Sequence, residues 1–153
     1  ANGGRSQPLS LLKVDQPPSG EQIIPEDVSK QVLTMLRGTV DGEGGTGSRA
    51  RVPGYQIGGK TGTVHKAVGG GYAKDRYRSV FAGIAPISTP RFAAVVVIDE
   101  PSQGGYYGGL VAAPVFGQIM SGALRLMNVT PDDLPALQQV ELPPVKKPED
   151  SRG

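Results

Sequence analysis

The stretch from Gly54 to Gly71 constrains the fold of this chain more than any other part of it. Glycines and β-branched residues dominate the segment after Lys60, and both residue types disfavour a helix. Two apolar runs follow, Tyr77 to Pro86 and Arg91 to Ile98, with only residues 87–90 between them. Parallel strands need a crossover of about 12 residues or more, so this spacing predicts antiparallel strands joined by a hairpin.

The remaining patterns predict helices that cover this sheet. Pro25, the acidic pair after it and apolar residues at helical spacing predict a helix from Glu26 to Asp41 with one face buried. Similar spacing predicts a second helix from Gly108 to Asn128. The predicted fold class is therefore α/β in the α+β sense, an antiparallel sheet with covering helices, and its strands are Tyr55 to Val64, Arg76 to Ala85 and Arg91 to Asp99.

Both ends of the chain have a different character. Near the start, Leu9 to Val14 and Gln22 to Ile24 flank a dense turn signal, which predicts a small hairpin. After Asn128 the sequence is rich in proline and charge and has no sustained periodicity. We therefore expect a body over residues 1–128 and a Pro-rich mobile tail over residues 129–153.

Composition excludes several classes of function. The chain has 16 Lys and Arg against 14 Asp and Glu, scattered along its length, so nothing favours nucleic-acid binding. It has no cysteine and one histidine, so we predict neither a metal site nor a cofactor. The longest wholly apolar run, Phe92 to Ile98, is far shorter than the roughly 20 residues of a spanning helix.

One motif permits a nucleotide-binding alternative. Residues from Gly54 to Thr61 match the P-loop pattern G-x-x-x-x-G-K-[ST], and the apolar run ending at Asp99 could supply a magnesium ligand. A P-loop threonine must open a helix pointing at phosphate. Gly62 and the β-branched residues after it oppose such a helix, so the P-loop remains only the alternative interpretation.

Six short blocks occur in an order that is more specific than any one of them: Val52 to Tyr55, Lys60 to Thr63, Phe81 to Pro86, Val95 to Pro101, Tyr106 to Gly109 and Ala113 to Phe116. In this order the chain resembles the class B penicillin-binding proteins, and most nearly their division-specific FtsI type. The resemblance covers residues 1–128. It implies the C-terminal portion of a transpeptidase domain with the penicillin-binding, β-lactamase-like serine acyltransferase fold.

The resemblance implies peptidoglycan D,D-transpeptidation in septal cell-wall synthesis. In that reaction a serine attacks the D-Ala-D-Ala end of a stem peptide, the terminal D-alanine leaves, and an amine of a neighbouring stem takes the acyl group. β-Lactam antibiotics imitate D-Ala-D-Ala and acylate the same serine. The expected ligands are therefore the peptidoglycan stem peptide and β-lactams.

The same resemblance assigns roles to the K-T-G-T residues. Lys60 is expected to supply positive field, and the backbone N–H of Thr63 is expected to be an oxyanion donor. The hydroxyls of Thr61 and Thr63 are expected to hold the substrate's terminal carboxylate, and Gly62 to allow close approach. Even without the family, a strand edge with a lysine and two hydroxyls suits an extended peptide with an anionic end, which leaves a non-catalytic binding fragment as a further alternative.

Four ring-bearing residues complete the predicted site. His65 stands where FtsI-type enzymes often carry a basic residue, and strand alternation places it on the same face as Thr63. Tyr77, Tyr106 and Tyr107 match positions that form an aromatic wall in the family. We expect all four residues to face the substrate.

The nucleophile is expected outside this chain. Ser10 to Lys13 is a literal S-x-x-K, but the stretch is predicted to be a strand, in which positions i and i+3 face opposite ways, and the chain contains no S-x-N. We therefore expect an N-terminal part of the same protein to carry both motifs, and this chain alone to be inactive. The resemblance further implies divisome partners and a location on the periplasmic face of the inner membrane, with an anchor upstream.

Overall fold

A computed structural model of the chain describes residues 1–16, 18–103 and 105–133. In chain order the elements are strand β1 (Arg5–Ser6), strand β2 (Glu21–Gln22), helix α1 (Glu26–Asp41), a short 3-10 helix (Ser48–Ala50), strand β3 (Gly58–Val68), strand β4 (Gly71–Ala85), strand β5 (Phe92–Asp99) and helix α2 (Gly108–Leu126). The mixture of helices with an antiparallel sheet confirms the predicted fold class.

The main sheet is an antiparallel meander in the order β3-β4-β5, as predicted. The first hairpin is longer than expected, because the strands run on to Val68 and restart at Gly71. Gly69 and Gly70 form the turn between them, and Gly70 takes a φ of 91°, which glycine adopts without strain. Two of the glycines that disfavour a helix after Lys60 therefore form a two-residue hairpin turn.

Helix α2 covers one face of this sheet and completes the core. The rings of Phe81 on β4 and Phe116 on α2 meet at 5.0 Å between centroids, and Met120 and Leu124 are buried beside them. By length and composition alone, α2 is apolar enough to cross a membrane, with 19 residues and a mean hydropathy of 1.3. Its apolar face, however, is the one that packs on the sheet, as in the core helix of a globular fold.

The opposite face of the sheet is largely bare in the described chain. Side chains of β5 that point away from α2 are exposed, with Val95 64% and Val97 54% accessible. Helix α1 has the predicted bounds, but its apolar side is buried only at Val40, while Met35 is 68% exposed. The prediction of one buried face on α1 therefore holds at its C-terminal end only.

Two segments near the ends differ from the sequence expectation. The N-terminal hairpin exists, but it pairs Arg5–Ser6 with Glu21–Gln22, so the predicted strand over Leu9 to Val14 is wrong. Residues 134–153 of the predicted tail lie outside the described residues. The five described residues of that segment, 129–133, are held on the body: Asp132 accepts a hydrogen bond from the backbone N–H of Gln56 at 2.8 Å.

Candidate active-site wall

Strand β3 carries the K-T-G-T residues along an edge of the sheet. Thr61, Thr63 and His65 lie on the face covered by α2, since Thr61 pairs with the core residue Phe81. Lys60 and Gly62 lie on the other face. Because β3 continues unbroken from Gly58 to Val68, no helix begins at Thr61, and the P-loop interpretation of Gly54 to Thr61 is wrong.

The two threonine hydroxyls line a common cavity of about 390 Å³. The backbone N–H of Gly108 donates to Thr63 Oγ1 at 3.1 Å, and the hydroxyls of Thr46 and Thr61 are 3.1 Å apart. Since Thr63 Oγ1 already accepts a hydrogen bond, its own proton is available to a ligand. The cavity therefore offers oriented hydroxyl donors, which suits an anionic group.

The N-terminus of α2 closes this cavity, and a glycine makes the approach possible. A side chain at Gly108 would overlap the backbone carbonyl oxygens of Gly62 and Val80, and one at Gly109 would overlap that of Thr46. At Gly62 itself an added Cβ would meet Val80 at an ordinary 3.5 Å. Contacts within the described chain therefore require glycine at position 108, whereas at position 62 they leave room for a Cβ.

Lys60 is separated from the two threonines by the strand itself. Its ammonium donates to the carbonyl oxygen of Thr61 at 2.9 Å. Its side chain lines a different cavity, of about 330 Å³, on the bare face of the sheet beside Ala82 and Val95. A ligand that contacts both Lys60 and the threonines must therefore lie along the free edge of β3.

The four predicted ring residues form a continuous row beside Thr63. His65 lies 4.5 Å from Tyr77 between ring centroids, Tyr77 stacks on Tyr106 at 4.0 Å with an 11° interplanar angle, and Tyr106 meets Tyr107 at 4.6 Å. The backbone carbonyl of Ala73 lies 2.9 Å from His65 Nδ1. The row is an aromatic surface that begins at the threonine cavity, where Tyr107 is part of the lining.

Hydrogen bonds raise the pKa of one tyrosine in this row and fix the position of the row. The Tyr106 hydroxyl donates to the Tyr107 hydroxyl, and this bond is the main reason that the pKa of Tyr106 is raised to about 12. Ser79, on β4 opposite Thr63, is fully buried and donates to the carbonyl oxygen of Tyr106. The segment before α2 is thereby attached to both β3 and β4.

A cluster of ion pairs supports the far end of the row. Lys66 and Arg76 both pair with Glu100, and Asp99 pairs with Lys66 and Arg78. The hydrogen bonds from Arg76, and then from Lys66, lower the pKa of Glu100 to about 2. These contacts join the C-terminal parts of β3 and β5 to the middle of β4, on the face of the sheet opposite the aromatic row.

Sequence reasoning missed the structural role of four residues in or beside the cavity. Thr46 and Arg49 line it from the segment between α1 and β3, to which the sequence analysis assigned no site residue. Ser79 was not singled out at all, although a serine within an apolar strand is a signal that its hydroxyl has a buried partner. Gly108 was noted for its sequence block, but without a structural role.

The comparisons with known proteins agree with this arrangement. A family model described as "Penicillin binding protein transpeptidase domain" matches residues 1–121. The solved apo structure of the TP domain from Burkholderia pseudomallei penicillin-binding protein 3 is similar, with a TM-score of 0.79 and 41% identity over 88% of this chain and 41% of that one. The chain therefore belongs to the penicillin-binding protein transpeptidase family.

Individual relatives narrow the resemblance. The peptidoglycan D,D-transpeptidase FtsI of Escherichia coli K12 is 49% identical over 131 residues, which are 86% of this chain and 22% of that protein. The probable peptidoglycan D,D-transpeptidase PbpC of Pseudomonas aeruginosa is 45% identical over 88% of this chain and 24% of its own length. The predicted FtsI-like resemblance is confirmed, and this chain spans about a quarter or less of either relative.

Proposed function

We propose that this chain forms one wall of the active site of a peptidoglycan D,D-transpeptidase that acts in septal cell-wall synthesis. The carrying observation is the K-T-G-T strand at a sheet edge, with the Thr63 hydroxyl oriented by the Gly108 N–H, in a chain of the transpeptidase family. Thr61 and Thr63 hold the terminal carboxylate of the D-Ala-D-Ala end. β-Lactams, which imitate that end, occupy the same place.

The remaining site residues take roles that follow from their positions. The Thr63 backbone N–H lies on the edge strand and stabilises the developing oxyanion. Lys60 supplies positive charge from the opposite face of the strand, and Gly62 leaves that side of the strand open. His65 and the aromatic row of Tyr77, Tyr106 and Tyr107 form a side wall along the bound peptide.

The nucleophile comes from another part of the same protein. Ser10, the serine of the literal S-x-x-K, lies in neither a helix nor a strand, and its hydroxyl bonds to the backbone of Leu12, two residues on. A nucleophilic serine needs a base within hydrogen-bond reach. We therefore assign the true S-x-x-K and S-x-N motifs to an N-terminal part that contributes the facing wall.

The bare apolar surface supports this division of the site. Val95, Val97 and Met35 are exposed on the face of the sheet that also carries Lys60, or on the helix beside it. Exposed apolar surface of this kind marks an interface. The N-terminal part of the protein packs there, and the assembled enzyme works on the periplasmic face of the inner membrane, held by an upstream anchor, among divisome proteins.

Fluorescent penicillin tests the proposal. The full-length protein that carries this chain is expected to become covalently labelled, with a mass increase of one β-lactam on a serine outside the 153 residues. The isolated chain is expected to stay unlabelled. Labelling of the isolated chain that disappears in Ser10→Ala would overturn the two-part site, and a full-length protein that binds peptidoglycan without any acylation would favour a non-catalytic binding role.

A further inference from the structure

Arg49 brings a positive charge to the face of β3 that carries the two threonines. It lines the 390 Å³ cavity together with Thr46, Thr61, Thr63 and the N-terminus of α2. Lys60, the motif's own cation, is absent from that lining and belongs to the cavity on the other face. Among the described residues, the only charged residue of the cavity lining is therefore Arg49.

Arg49 forms no ion pair with the described part of the chain. Its near neighbour Arg51 pairs with Asp41, and Arg37 does the same, whereas no acidic partner of Arg49 occurs in the part of the chain that the structure describes. Among the residues that the structure describes, no acidic one lines the cavity. A guanidinium in this position is available to an incoming anion, and its planar fork matches the two oxygens of a carboxylate.

Hydroxyl donors and a guanidinium complement each other at such a site. The hydroxyl proton of Thr63 is available, because its oxygen accepts a hydrogen bond from the Gly108 N–H. The hydroxyls of Thr46 and Thr61 are hydrogen-bonded to each other. Neutral hydroxyls give direction, but a carboxylate leaving water also needs countercharge. Here the threonine hydroxyls supply the directional hydrogen bonds, and Arg49 supplies the positive charge.

We infer that Arg49 is a specificity-determining residue that pairs with the terminal carboxylate of the ligand, on the threonine face of β3. The inference rests on the proposed function, since the D-Ala-D-Ala end and the β-lactams both carry this carboxylate. It adds a residue of the 3-10 helix before β3 to the K-T-G-T residues. It also separates two cations by role: Arg49 serves the carboxylate, and Lys60 serves the opposite face of the strand.

The test compares a ligand with and without its charge. Second-order acylation rate constants are measured on the full-length protein with benzylpenicillin and with its neutral methyl ester. Arg49→Gln is expected to slow acylation by benzylpenicillin about five- to tenfold, as for the loss of a partly exposed charge pair, and to change the rate with the ester by less than about twofold. Arg49→Lys, which keeps the charge but loses the fork, is expected to fall between wild type and Arg49→Gln.

Matched controls make each outcome decisive. Arg91→Gln removes an exposed arginine from the β4–β5 connection and is expected to leave both rates unchanged. The benefit of Arg49 is expected to shrink in about 1 M salt, where charges are screened within about 3 Å. Equal slowing of both ligands by Arg49→Gln, or no slowing of either, would overturn the role of Arg49. Failure of the wild-type protein to react with either ligand would instead overturn the proposed function.

Discussion

Replacing Thr63 with valine separates the shape of this side chain from its hydroxyl. Valine keeps the branched form and the backbone N–H, but it removes the oxygen that accepts from Gly108 and that we propose donates to the substrate carboxylate. Leaving one hydrogen bond to a charged group unmade costs about 1 to 3 kcal/mol. The second-order rate constant for acylation by β-lactam is therefore expected to fall about 5- to 150-fold.

The same change has a smaller effect on the fold. In Thr63→Val the Gly108 N–H loses its partner, and its position at the partly buried start of α2 predicts a loss of about 1 kcal/mol in the free energy of unfolding. Thr63→Ser retains the oxygen and is the matched control for both effects. The rate is measured by stopped-flow with a fluorescent penicillin, and stability by urea denaturation of the same preparations.

Two results would refute this reasoning. If Thr63→Val is acylated as fast as wild type, the hydroxyl makes no contact with the carboxylate in the transition state. If Thr63→Ser is as slow as Thr63→Val, keeping the hydroxyl does not preserve the rate, and the slowing cannot be assigned to loss of the hydroxyl. A fall in stability without any fall in rate would leave Thr63 as a support for α2 only.

Three further predictions concern the surroundings of the site. Gly108→Ala is expected to destabilise the protein by about 1 to 3 kcal/mol, because the added Cβ overlaps two carbonyl oxygens. Gly122 lies on the same helix with open space around it, so Gly122→Ala is expected to stabilise the protein by about 0.5 to 1 kcal/mol. Thermal melts of the two variants compare these effects. The pKa of Glu100 is lowered from 4.5 to about 2, so its ion pairs stabilise the fold above pH 4.5 and are lost as the pH falls toward 2. Glu100→Gln is therefore expected to flatten the pH dependence of the free energy of unfolding, measured by urea denaturation. Tyr107→Phe removes the hydrogen bond that raises the pKa of Tyr106, so ultraviolet titration is expected to show the pKa of one tyrosine falling from about 12 toward 10. Tyr72→Phe, at an exposed tyrosine outside the row, is the control and is expected to show no such fall.

Local signals explain which elements could be predicted. The bounds of α1 follow from Pro25 at its N-cap and from apolar residues at helical spacing, and both signals lie in the element or directly beside it. The strand over Leu9 to Val14 failed because strand formation depends on a partner, and Gln22 pairs with Arg5 instead. The extension of β3 and β4 up to Gly69 and Gly70 was not predicted, since glycine permits both a loop and a tight turn.

The candidate site divides in the same way. Residues of the K-T-G-T strand were found because they form a contiguous motif, and strand alternation placed His65 beside Thr63. Thr46 and Arg49 were missed, because their loop is positioned by α1 and by the start of α2 rather than by its own sequence. Ser79 reaches Tyr106 across a separation of 27 residues, a contact that no local pattern specifies.

The separation of Lys60 from the threonines constrains how the whole active site must be assembled. Both groups belong to one strand, yet they face opposite sides of the sheet, and only the free edge of β3 gives a ligand access to both. On the threonine side α2 forms one wall of the cavity, whereas the Lys60 side is apolar and is not covered by a helix of the described chain. Under the proposed function, we expect the nucleophile that attacks a ligand on this edge to come from polypeptide packed on the Lys60 face. Replacing Val95 there with aspartate would place a charge in that interface, and it is expected to weaken acylation of the full-length protein without contacting the ligand.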